Sequence, residues 1–63
     1  MLEYAKTILR KVSFDRHLFE KELKKALKLL IPQEIVELKE WCYVHFGHLY
    51  RTILNRNFER IAA

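Results

Sequence analysis

A chain of 63 residues with one glycine and one proline has almost no material for sharp turns. Gly47 and Pro32 are the two strong breaks, and nothing remains from which to build hairpins or long loops. The rest is rich in Leu, Lys, Glu, Arg and Ala, which are good helix formers. The chain is all-α on this ground, before periodicity enters.

Periodicity then divides the chain into four short segments within a single domain, 1–63. Leu2, Ala5, Ile8, Leu9 and Val12 share one face of a first helix, about 2–12. Asp15 is the expected N-cap of a second, about 15–30, with Phe14 and Phe19 set for a hydrophobic staple. Leu18, Phe19, Leu23, Ala26, Leu27, Leu29 and Leu30 cover its apolar half. His17, Lys21, Lys24, Lys25 and Lys28 cover the other. Pro32 opens a third helix, about 32–46, where its missing N–H costs nothing. The joint at Ile31 is so short that helices two and three form a helical hairpin. Gly47 is the expected left-handed C′ residue. A fourth helix, about 48–60, then carries Leu49, Tyr50, Ile53, Leu54 and Phe58. The competing reading is one long helix kinked at Gly47. The fold expected is a compact bundle of four short helices with the third at its centre.

With 51% apolar residues a packed core is feasible without disulfides or metal. No apolar run approaches the ~20 residues needed to cross a bilayer. Met1 to Lys6 holds no apolar stretch of secretory type. The single cysteine fits a reducing compartment, so the cytoplasm is the expected location. The net charge of +4 permits an acidic partner and demands none. Helix three is the acidic one, with Glu34, Glu37 and Glu40 against Lys39.

Three clusters are candidates for function. Ile35, Leu38, Cys42 and Phe46 make an ordinary core stripe on helix three, but Trp41 and Val44 fall beside Glu37 and Glu40, with Tyr43 on another flank. A helix apolar nearly all round is central in its domain, so Trp41 is either core or the middle of an aromatic–acidic contact surface. The second reading makes the chain a protein-interaction module whose partner is another protein or a second copy. The next cluster is the lysine face, Lys21, Lys24, Lys25 and Lys28, which could follow a nucleic-acid backbone without reading bases. Glu20 and Glu22 interrupt it, and Glu20–Lys24 has the favourable helical spacing. Third, Cys42, His45 and His48 offer three potential metal ligands within seven residues. Structural zinc sites draw ligands from two separated segments, which this lacks. Cys42 sits on the core stripe, where a small buried thiol is common. It has no orienting group for nucleophilic work, so no catalytic residue and no cofactor are expected.

Two stretches, Val12 to Leu23 and Trp41 to Tyr50, resemble small helical bacterial proteins of unknown function. The resemblance implies the helical fold and names no activity.

Overall fold

The computed structural model describes the backbone of residues 1–62 and the side chains of residues 1–60. The fraying expected of residues 61–63 lies outside the residues described in full. Three helices follow in order: α1 Leu2–Lys11, α2 Arg16–Leu29 and α3 Pro32–Ala62.

The expected N-cap is in place. The Asp15 carboxylate accepts from the backbone N–H groups of His17 at 2.9 Å and Leu18 at 3.1 Å, satisfying two of the orphan donors that open α2. The staple is not formed: Phe19 is fully buried while Phe14 stands 81% exposed. Pro32 is the first residue of α3. Glu34 reaches back to accept from the Ile31 N–H at 3.2 Å, the return half of a capping box. α2 and α3 are in contact, on either side of the short joint at Leu30 and Ile31.

The boundary at Gly47 is corrected. Among the described residues there are three helices rather than four, and Gly47 does not have a positive φ. Tyr43, Phe46, Tyr50 and Leu54 keep helical spacing across Gly47, so the apolar pattern carries the helix through it. The break in helical geometry comes three residues later, at Tyr50, with φ −126° and ψ 33°. The bend is large. A straight α3 of 31 residues would be about 46 Å long at 1.5 Å per residue, but the longest dimension of the molecule is 26 Å. α3 therefore has an N-terminal arm before Tyr50 and a C-terminal arm after it.

The bend has an identifiable clasp. The Tyr50 hydroxyl donates to the Ser13 carbonyl at 2.6 Å, tying α3 to the turn between α1 and α2. Its ring lies 4.7 Å from that of Phe19, which in turn meets Phe46 edge-on at 5.1 Å. Folding the C-terminal arm back buries Ile53, Leu54 and Phe58, and each such side chain stabilises by roughly 1.5–3 kcal/mol.

Leu9, Phe19, Leu23, Leu30, Leu38, Cys42 and Phe46 complete the core, so every helix and both arms of α3 contribute. The radius of gyration is 10.3 Å, matching about 10.6 Å for a compact 63-residue domain. On α2 the apolar half is narrower than the sequence pattern implied. Leu18 and Leu29 are 38% and 63% exposed, because the core takes only the strip bearing Phe19, Leu23 and Leu30.

Candidate functional site

Trp41 is half-buried beneath α1. The Lys6 ammonium and the Arg10 guanidinium stand over its ring at 5.9 and 5.7 Å from the centroid, within the range of cation–π attraction. Its other neighbours are His45 and, edge-on at 5.6 Å, Phe46. Glu37, Glu40 and Val44 are exposed, Val44 to 76%. Tyr43 is on a different flank, where its hydroxyl donates to the Asn55 side-chain oxygen and its ring meets Phe58. Burial is the main cause raising the Tyr43 pKa, with Glu59 nearby adding to it. The five expected residues thus fall in two places, and the aromatic centre of the acidic face is covered by two cations.

The Cys42 sulfur is fully buried, and burial pushes its thiol up to about 12. His45 and His48 are exposed on the surface. Among the described residues no three His, Cys, Asp or Glu side chains are grouped to hold a metal ion.

The four lysines are all exposed, but the fold places Lys25 on one edge of α2 and Lys24 and Lys28 on the other, with Lys21 between them around the helix. Lys25 lies on the edge facing α1, paired with Glu22 at 3.7 Å. That edge borders an apolar groove of about 260 Å³ lined by Met1, Tyr4, Ile8, Ala26, Leu29 and Leu30. Met1 and Tyr4 are exposed there alongside Leu29. At about 100° per residue, Leu18, Glu22, Lys25 and Leu29 lie within about 60° of one another on the helix.

Lys24 and Lys28 occupy the other edge, which faces the C-terminal arm of α3. The two elements run parallel: Arg16 lies near Thr52 and Ile53, Glu20 reaches Arg56 and Asn57, and Lys24 and Lys28 meet Arg60. A depression of about 360 Å³ at one end of this seam is lined by Lys24, Leu27, Lys28, Asn57 and Arg60. A second, of about 330 Å³, at the other end has Arg16, His48 and Arg51 among its lining residues.

Glu20 clamps the seam between them. Arg56 donates to both of its oxygens, from Nη2 at 2.8 and 2.9 Å and from Nε at 3.1 Å. Asn57, 4% exposed, donates to it at 2.8 Å and also to the Ile53 carbonyl at 2.8 Å. The Asn57 hydrogen bond is the main cause holding the Glu20 pKa below the ordinary value, with Arg56 adding to it and partial burial opposing. Glu20 therefore serves α3 across the seam rather than pairing with Lys24 along its own helix.

Sequence reasoning passed over Arg16, Arg56, Asn57 and Arg60 as seam residues. Arg56 and Arg60 share the i,i+4 spacing of one helix face, but only the bend in α3 brings that face to α2.

No helix among the described residues is long and apolar enough to cross a membrane. Compared with known proteins, the chain matches no family model, no curated protein and no solved structure.

Proposed function

We propose that this chain is a non-catalytic interaction module that pairs with a second copy of itself through the outer edge of α2 and the groove beside α1. The observation that carries this reading is the row Leu18, Glu22, Lys25, Leu29, which is self-complementary. In an antiparallel α2–α2 pairing about a two-fold axis, Leu18 of one copy meets Leu29 of the other, and Glu22 meets Lys25. Both pairs occur twice, as an isologous interface requires.

Exposure supports it. Met1, Tyr4, Leu18 and Leu29 are large apolar side chains left in water along one side of the α1–α2 hairpin. Met1, Tyr4 and Leu29 gather at the groove, with Leu18 further along α2, and exposed apolar surface of this kind on a small domain marks a contact site. An interface of ordinary size covers about 800 Å² per partner, under a fifth of the 4442 Å² surface. The Glu22–Lys25 bridge within one copy is long, and the Lys25 side chain is 63% exposed, so exchanging it for a bridge between copies costs little. The Trp41 side is the lesser contact, since Lys6 and Arg10 already cover its ring and Val44 is the apolar group it leaves free. The non-catalytic reading is supported by Cys42, whose thiol is buried and pushed up to about 12 by that burial.

Sedimentation across a concentration series tests the pairing. The expected result is a monomer–dimer equilibrium that weakens roughly 10-fold with Glu22→Lys or Lys25→Glu alone, where like charges meet across the two-fold. The double exchange, Glu22→Lys with Lys25→Glu, should restore it. A chain that stays monomeric throughout, or a double exchange no better than either single, sinks the proposal.

A further inference from the structure

We propose that the seam between α2 and the C-terminal arm of α3 is a binding groove for the phosphate backbone of nucleic acid. The proposal is independent of self-pairing, because the seam is centred about 150° around α2 from the row that pairs.

The argument begins with where the acids go. Four acidic side chains belong to these two elements and their cap: Asp15, Glu20, Glu22 and Glu59. Asp15 is spent on the start of α2. Glu22 is on the opposite edge with Lys25. Glu59 acts on Tyr43, on the far side of the C-terminal arm. Glu20 alone reaches the seam, and Arg56 holds it in a forked, charge-assisted contact. Among the described residues no salt bridge ties up the other cations of the seam, although the charge of Lys24 acts on Glu20 and Arg51 shares the neighbourhood of Tyr43 with Glu59. Lys24, Lys28 and Arg60 surround one depression, and Arg16 and Arg51 border the other.

Geometry adds to charge. The cations stand on both walls of the seam, so that their fields add on a bound anion. From Arg16 to Lys28 the seam runs about 18 Å along α2. The two basic depressions at its ends are spaced for a chain of phosphates rather than for one small anion. No aromatic ring lines the depression at Lys24, and its Asn57 is taken up by Glu20 and the Ile53 carbonyl, while Tyr50 in the other depression is tied to the Ser13 carbonyl. Binding is therefore sequence-indifferent and strongly salt-dependent. A bilayer is the poorer fit, since the large exposed apolar groups of α2, Leu18 and Leu29, are on its other edge while a membrane-lying helix needs its apolar groups flanked by the cations it uses.

Fluorescence anisotropy of a labelled mixed-sequence duplex, titrated at several salt concentrations, tests the groove. Affinity should fall steeply with salt. Lys24→Gln with Lys28→Gln should weaken binding at least 10-fold and lower the log–log salt slope by about 2, one contact per lysine. A control pair of equal charge change, Lys11→Gln with Lys39→Gln, should leave the slope unchanged. Three results overturn the proposal: no binding at low salt, equal losses from the seam and control pairs, or binding to phosphatidylserine vesicles with none to the duplex. The unfolding midpoints of both variants, taken by circular dichroism, separate lost contacts from lost folding.

Discussion

Glu20 joins elements 36 residues apart through its contact with Arg56, and its charge is part of how the C-terminal arm is held. Its carboxyl group titrates below the ordinary value of 4.5, through the Asn57 and Arg56 hydrogen bonds. A depressed folded-state pKa gives stability that is complete above the unfolded pKa and lost as pH falls through the folded one. Glu20→Gln should therefore lower the stability at neutral pH by about 1–2 kcal/mol, the range for a partly exposed, charge-assisted contact. Urea unfolding at pH 7 and again below pH 4 should show the gap between the two proteins narrowing in acid. A gap that is constant with pH would remove the charge from the explanation. Legibility at this scale follows distance along the chain. Asp15 could be read as a cap because its partners are two and three residues away. The true partners of Glu20 could not, because a local rule offers only Lys24.

At the scale of elements, the apolar spacing identified every helical stretch and misplaced one boundary. Gly47 ends an apolar segment, and a glycine there is the usual stop signal. The signal was outweighed by the rings on either side of it, Tyr43, Phe46 and Tyr50, which continue the helical face into the core. Gly47 is helical and buried. A Cβ at that position would meet the Tyr43 ring edge at 3.9 Å, an ordinary contact. Gly47→Ala should consequently stabilise the fold by about 0.5–1 kcal/mol through backbone entropy and helix propensity. In thermal melts that is an increase in Tm of roughly 2–8 °C for a domain this size. A lower Tm would mean that the backbone at Gly47 is not helical. The two edges of α2 were not legible either. An isolated helical wheel shows a lysine half and a leucine half. Packing against α1 on one side and the C-terminal arm on the other separates Lys25 from Lys24, and Leu29 from Leu30.

For the molecule as a whole, stability is in the range of roughly 3–9 kcal/mol expected of 63 residues. The core draws on both arms of α3 and on each of the other helices, so each of these elements is needed to complete it. The architecture, a single helical layer around a mixed aromatic and aliphatic core, follows from the apolar pattern. The parallel packing of α2 with the C-terminal arm does not, since it depends on the angle and position of one bend. That arrangement is also what converts scattered basic residues into a lined seam, with Arg16 and Lys24 supplied by one wall and Arg60 by the other.

The clasp at Tyr50 has a consequence for what the chain can tolerate in length. The kink at Tyr50 sets the two arms of α3 in one fixed relation, so the face that each presents depends on the number of residues leading up to it. A single alanine inserted after Phe46 would turn the C-terminal arm by about 100° about its axis and advance it by about 1.5 Å. Ile53, Leu54 and Phe58 would swing toward solvent while Arg56 parted from Glu20, and circular dichroism melts should show the cooperative transition lost or greatly lowered. The same insertion between Ser13 and Phe14, in the turn that the Tyr50 hydroxyl grips by its backbone, breaks no helical winding and should cost far less. The phase of the winding, more than the identity of any one surface residue, is therefore the property that substitutions can leave alone and insertions cannot.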